Sequence, residues 1–334
     1  MRDGFHNPAI SVIVPVYNTG QFLMDTVKSV REQVFASWEL LLIDDGSTDG
    51  SSEKCDQFAE MDHRIKVFHI ENGGYNKARN IGIDNASGEW ILFLDSDDYL
   101  APEALNLMIN RAEGADLVMA LYQTTPFPII KAEGLKELYV KSLPELRDIL
   151  TELYEPYFFL SVAAKLYKKR ILGNGFDVER GDVIGDWIYN FQILPNCRGI
   201  RFIPEIVYYY RTGDHVSHSS HFHSELLYVS KLIYKKVNSL FPEQPVIEAF
   251  MGSRYAYRVK QYITHIASLK NLNKVYKLAM IEAERNDDFY NLQPIIQTGS
   301  GNGKSEIWEA FKNGDSERAL KAAEEQISSN STKR

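Results

Sequence analysis

Cysteine is almost absent from this chain: Cys55 and Cys197 are the only two in 334 residues, too few and too far apart for a disulfide framework or a Cys-rich zinc centre. A reducing compartment fits that scarcity. Also missing is any uninterrupted apolar run approaching the roughly 20 residues that a membrane-spanning helix needs. The stretch Met1 to Pro8 leads into a strand without the charged-then-apolar order of a signal peptide. These absences predict a cytoplasmic protein whose membrane contact is at most peripheral, at the inner face. Basic charge is in deficit too, and a net charge of -8 argues against a nucleic-acid partner. The deficit is uneven, because residues 224–285 hold ten Lys or Arg against five Glu. With ordinary apolar and charged fractions, 334 residues are enough for two domains or one α/β domain with a sizeable appendage.

What is present is an alternation of buried strands and helices up to about residue 122. Strands are predicted at Ile10–Val16, Leu40–Ile43, Ile65–Ile70, Trp90–Leu94 and Leu117–Ala120, with helical spacing between them, as in Phe22, Leu23, Val27, Val30 and Val34. Such spacing implies crossover connections and a mostly parallel sheet with helices on both faces. Beyond that point the pattern is less regular. Ser142 is a candidate cap for a helix through Leu153, Ile184 to Leu194 reads as a helix carrying Asp186, and Val207–Arg211 reads as a strand. Amphipathic helices then fill 225–240, 246–268, 272–285 and 305–328.

The most informative stretch is Gly88-Glu89-Trp90-Ile91-Leu92-Phe93-Leu94-Asp95-Ser96-Asp97-Asp98, an apolar strand ending in three carboxylates within four residues. Like charges that close repel and raise one another's pKa unless a cation neutralises them. A hard, oxygen-ligated divalent ion that keeps positions for phosphate oxygens is the economical partner. Three other polar clusters also follow strands: Tyr17-Asn18, Asp44-Asp45 and Asn72 to Asn80. In open α/β sheets ligands bind beyond the carboxyl ends of the strands, so all four converge on one rim.

In this order the clusters resemble family 2 glycosyltransferases, the large inverting group with the GT-A fold. The likeness is carried by Ser11 to Asn18, by Asp44-Asp45-Gly46-Ser47-Thr48-Asp49-Gly50, by Asn72-x-Gly74 with Ala78-Arg79-Asn80-x-Gly82, by Ala86-x-Gly88-Glu89 and by Phe93 to Asp98. The resemblance is strong over about residues 9–122, thinner to about 219 and absent from the helical tail. It implies a GT-A, Rossmann-like sheet, with 1–122 as the nucleotide-sugar-binding half, 123–222 as the acceptor-side part and 223–334 as a C-terminal helical region.

It also implies a UDP-sugar donor, a glycan or lipid-linked oligosaccharide acceptor, Mg²⁺ or Mn²⁺, and a place in bacterial surface-polysaccharide assembly. On the nucleotide it puts Tyr17 as an aromatic platform, Asp45 as acceptor from the uracil N–H with Asp44 in support, and Arg79 toward diphosphate or ribose oxygens. Pro15, Asn72, Asp95 and Ser96 join them, while Asp97, Asp98 and His218 go to the metal; how Asp95, Asp97 and Asp98 share the metal and ribose stays open. An inverting transfer also needs a base for the acceptor hydroxyl. The family's aspartate, often in a Glu-Asp pair opening a helix, matches Asp186 in Gly185-Asp186-Trp187, with Gly where Glu is frequent and Asp182 as competitor. Tyr208 to Arg211 followed by Ser217-His218-Ser219 resembles the family's closing segment.

Other signals carry less. His215, His218, His221 and His223 read as loop histidines ahead of a separate zinc site. Gly299 to Ser305 imitates a phosphate-binding loop but has threonine at 298 where glycine is required. Lys231, Lys235, Lys236, Arg254, Arg258 and Lys260, interleaved with tyrosines, make the tail a candidate surface for anionic lipid. Two rival functions stay open: a catalytically inactive nucleotide-sugar-binding assembly subunit, because the base motif is imperfect, and a sugar-nucleotide nucleotidyltransferase, against which stands the lack of a Gly-rich basic loop after the first strand.

Overall fold

The structure, a computed structural model, describes residues 7–125, 136–149, 161–178, 185–212, 226–242, 245–285 and 305–331. The chain divides into two compact units, Met1–His215 and Val216–Arg334.

In the first unit, β1 (Ile10–Val16), β2 (Trp38–Asp44), β3 (Ile65–His69) and β4 (Trp90–Phe93) pair in parallel in the order β3-β2-β1-β4. Strands covered on both faces need apolar residues at nearly every position, and all seven residues of β2 are buried. Along β1 the side chains alternate between two layers. Val12, Val14 and Val16 join Leu23, Val27 and Val30 of α1 (Phe22–Arg31) and Cys55 and Phe58 of α2 (Ser51–Met61) in one core cluster. Ile13 faces the other way, toward α3 (Tyr75–Asn85). A Cβ on Gly82 would lie 2.3 Å from Ile13 Cγ2, so this glycine sets how closely α3 approaches the sheet.

Beyond β4 the sheet is mixed. After β5 (Tyr99–Leu100), α4 (Ala104–Asn110), β6 (Leu117–Thr125), β7 (Leu138–Val140) and α5 (Leu143–Ile149) come β8 (Lys165–Lys168), α6 (Gly185–Ile193) and β9 (Ile200–Arg211). β8 inserts antiparallel between β4 and β6, β9 runs parallel to β6, and β5 and β7 pair antiparallel with β9. The parallel arrangement expected from the alternation therefore holds for the first four strands. β9 begins at Ile200, well before Val207, and passes Pro204 by an irregularity: Phe202 pairs with Met119 and Ile206 with Leu121. Proline has no N–H for the ladder, and the bulge accommodates it.

The second unit is helical: α7 (Leu226–Leu240), α8 (Pro245–Ser268), α9 (Lys274–Arg285), α10 (Glu306–Lys312) and α11 (Ser316–Ser331). The single helix expected over 305–328 is two, separated at Asn313–Asp315, where Asp315 Oδ1 accepts the Arg318 N–H. Lys231, counted among the tail's surface cations, is instead buried, 2.7 Å from Glu284. None of the described helices is long and apolar enough to cross a membrane.

Candidate active site

β1, β2 and β4 run in parallel, so their carboxyl ends share one edge, and the polar clusters knit together there. Asn18, with φ 49°, accepts the Thr48 N–H on its Oδ1 at 2.8 Å and donates its own N–H to Ser47 Oγ at 3.1 Å. These bonds tie the end of β1 to the loop after β2 and leave Tyr17 half-exposed beside them. Asp45 is buried, and its two carboxylate oxygens accept the Gly73 and Gly74 N–H groups, each at 2.8 Å. Asn72 donates to the Asp45 carbonyl at 3.0 Å. Asp45 thus shapes the third cluster. Pro15 lies on β1, level with Ile43 of β2.

Asp44 turns away from this cradle toward β3. Its Oδ2 meets His69 Nδ1 at 2.8 Å and its Oδ1 accepts the Ser47 N–H at 3.0 Å, while His69 Nε2 lies 3.1 Å from Asp56. The bond to Asp44 and the nearby Asp56 raise the His69 pKa above 6.5 against the opposing effect of burial. A raised folded-state pKa stabilises fully below the unfolded value, and that stabilisation is lost as pH rises through the folded value. Wild type is therefore expected to unfold at a higher temperature than His69→Gln at about pH 5.5, the gap shrinking by about pH 8.5. Thermal unfolding across that range checks this, and a pH-independent gap counts against it.

The acidic strand end divides into distinct environments. Asp98 is fully buried: Oδ2 accepts the Tyr208 hydroxyl at 2.6 Å and Oδ1 the Arg211 N–H at 2.7 Å. Burial, with Asp95 and Asp97 adding, pushes its pKa up to about 8. These two bonds fasten the strand end to β9. Ser96 Oγ bonds Thr19 Oγ1 at 2.7 Å, and its carbonyl accepts from Thr26. Asp95 and Asp97 stay partly open on the rim.

Among the described residues, no group of three or more His, Cys, Asp or Glu is arranged to hold a metal. An Mg²⁺-type ion needs no such cage, since one or two carboxylates and a ligand's phosphate oxygens suffice. Asp95 and Asp97 fit that donor set. His218 and the competitor Asp182 lie outside the described residues, as do His215, His221 and His223.

Arg79 joins what sequence order keeps apart. Its guanidinium donates to Asp95 Oδ1 at 3.0 Å and to Asp186 Oδ1 at 2.7 Å. The side chain is only 3% exposed, and its guanidinium carbon lies 4.7 Å from the Tyr75 ring centroid and 5.2 Å from that of Phe176. Burial opposes its charge, but Asp186 and Asp95 more than restore it, so its pKa is raised. Asp95 is raised by burial, with Arg79 opposing and Asp186 and Asp97 adding. Its planar fork thus bridges the two carboxylates.

Asp186 sits in the first turn of α6, and its Oδ2 accepts the Val162 N–H at 3.1 Å and the Ser161 hydroxyl at 3.4 Å. The departure of Gly185 from Glu has a local cause, since a Cβ there would lie 2.7 Å from Nδ2 of the buried Asn76. Asn80 pins the approach to this site, bonding the Phe176 N–H at 2.7 Å and its carbonyl at 2.8 Å. Sequence reasoning did not single out Ser161 or Val162, which no local pattern marks; Asn76 lies inside the Asn72 to Asn80 cluster, one helical turn before Asn80, and Tyr208 was read only as part of the closing segment.

Comparison with known proteins gives this geometry its context. The profile of Glycosyl transferase family 2 matches residues 11–176. Glycosyltransferase GlyA of Streptococcus pneumoniae serotype 4 is 31% identical over 216 residues, which is 60% of this chain and 30% of that protein. The chain thus spans less than a third of that relative's length. Residues 1–349 of S. aureus TarS, in complex with UDP-GlcNAc, superpose with a TM-score of 0.66 at 22% identity, covering 96% of this chain and 92% of that one. Mannosyltransferase PcManGT from Pyrobaculum calidifontis, in complex with GDP-Man and Mn2+, gives 0.53 at 16% identity, covering 96% and 86%. At such identities the two structures speak for the fold, the GT-A arrangement expected from the sequence.

Proposed function

The chain belongs to glycosyl transferase family 2, and from that premise we propose that it moves a hexosyl or N-acetylhexosaminyl group, with inversion, from a UDP-sugar to a hydroxyl of a glycan or lipid-linked glycan. The observation that carries this reading is the Asp95–Arg79–Asp186 bridge, which sets a strand-end carboxylate suited to a metal beside a second carboxylate suited to proton removal. The UDP-GlcNAc complex of TarS supports the donor class.

In this reading Tyr17 offers its ring face to the uracil, Asp45 accepts from the uracil N–H, and Pro15, Asn72 and Ser96 line the nucleotide. Asp95 and Asp97 hold Mg²⁺ or Mn²⁺, and Mn2+ in the PcManGT complex supports such an ion. When bound, it supplies positive charge to the diphosphate leaving group. Asp186 takes the proton from the acceptor hydroxyl. That oxygen then bonds the anomeric carbon while the carbon–oxygen bond to the diphosphate breaks, its electron pair leaving with UDP. The setting is polysaccharide assembly in the cytoplasm at the inner membrane face, where exposed Lys235 and Lys236 of the helical unit meet anionic lipid.

A panel of UDP-sugars tests the reading. Donors that bind raise the unfolding temperature in the presence of Mn²⁺, and at least one is expected to release UDP in a reaction that a chelator stops. A donor that raises the unfolding temperature but releases no UDP with any glycan acceptor would instead mark an inactive binding subunit.

A further inference from the structure

The turn Ser161–Ala164, leading into β8, is more tightly ordered than a connection requires. Ala164 has φ 54°, a left-handed conformation that residues with a Cβ seldom adopt and that persists only when the surroundings enforce it. Under the turn lies Lys165, 3% exposed. Its ammonium donates to the Ser161 and Ala163 carbonyl oxygens. Asn190 of α6 donates to the same Ser161 carbonyl at 2.9 Å and accepts the Tyr167 hydroxyl at 2.8 Å. From the other side of the turn, the Val162 N–H and the Ser161 hydroxyl reach Asp186 Oδ2.

A buried ammonium is costly to keep. Burial pushes that of Lys165 down to about 7, with the charge of Asp186 opposing. A turn needing only to connect two elements gains nothing from such a group, whereas a turn that must present two donors to one carboxylate oxygen gains a fixed geometry. Reactions of this kind fall steeply when a reacting group is misplaced by as little as about 1 Å.

We infer that Lys165 is a positioning residue for the transfer reaction: by clamping the Ser161 and Ala163 carbonyls it fixes the Val162 N–H and the Ser161 hydroxyl that aim Asp186 at the acceptor. The inference rests on Asp186 being the base. Lys165 touches neither donor nor acceptor, so its effect belongs in turnover and not in donor affinity.

The test compares Lys165→Met, similar in length but uncharged, with Asp186→Asn and the double variant, using UDP release at saturating acceptor. Lys165→Met is expected to lower kcat on the order of 10–100-fold, as loss of an orienting partner commonly does, while the donor KM stays within about twofold. In the Asp186→Asn background the same change is expected to add no further loss, because the group it positions is gone. Unaltered kcat in Lys165→Met, a raised KM at constant kcat, or losses that multiply in the double variant each overturn the inference. If Lys165→Met does not fold, Ser161→Ala decides: a several-fold fall in kcat with unchanged donor KM supports the clamp, and wild-type kcat overturns it. Full turnover in Asp186→Asn removes the base reading and this inference together. An inactive Asp186→Asn beside a normal Lys165→Met removes this inference alone.

Discussion

Arg79→Met is expected to lower folding stability by about 3 kcal/mol, the low end of the range for breaking a buried ion pair by removing one partner. The low end applies because the carboxylates left behind are not sealed: Asp95 is 39% exposed and Asp186 20%. Methionine fills much of the space between Tyr75 and Phe176, so the loss is chiefly electrostatic, from two carboxylates facing each other without the cation that served both. Urea denaturation measures it as a lower midpoint at an unchanged slope. Asp186→Asn in the Arg79→Met background should recover part of the loss, since one of the stranded charges is removed. A loss under about 1 kcal/mol would put the pair in the class of exposed salt bridges and dismiss the bridge as an organising element.

The second large effect is on turnover. Asp186→Asn should lower kcat on the order of 10²–10⁴-fold, the usual contribution of a general base, which is about 2.7–5.4 kcal/mol of activation free energy. Asparagine keeps the shape and still offers Arg79 a carbonyl, but its NH₂ replaces an oxygen that accepted the Val162 N–H. A modest cost in stability accompanies the loss. Binding of the UDP-sugar, followed by calorimetry, should change little, because donor contacts in this reading come from the ends of β1 to β4. A variant with lowered stability and normal kcat would reduce Asp186 to a carboxylate that serves the first turn of α6.

The halves of the first unit were unequally legible. β1 to β4 stood out because strands buried on both faces are near-continuous apolar runs, and their carboxyl ends named the rim without further help. β5, β7 and β8 did not: Tyr99–Leu100 has two residues, and Lys165–Lys168 sets two apolar residues between lysines, one of them buried by an interaction no local pattern announces. Arg79 stood out in its motif, but its partners lie 16 and 107 positions away, and nothing in composition joins such positions. The surroundings of Asp98 were hidden for a related reason. From sequence it is one of three neighbouring acids, whereas its environment is set by Tyr208 and Arg211.

The Arg79 bridge also limits how such an enzyme can be recombined. One cation in α3 neutralises a carboxylate just past β4 and another on a helix more than 60 residues beyond residue 122. An engineer who grafts a foreign segment onto residues 7–122 inherits the arginine with Asp95 in place and its second carboxylate missing. Chimeras should therefore fold and turn over only when the incoming segment brings an acid to the first turn of its own helix, which makes this pair a compatibility key for exchanging that segment.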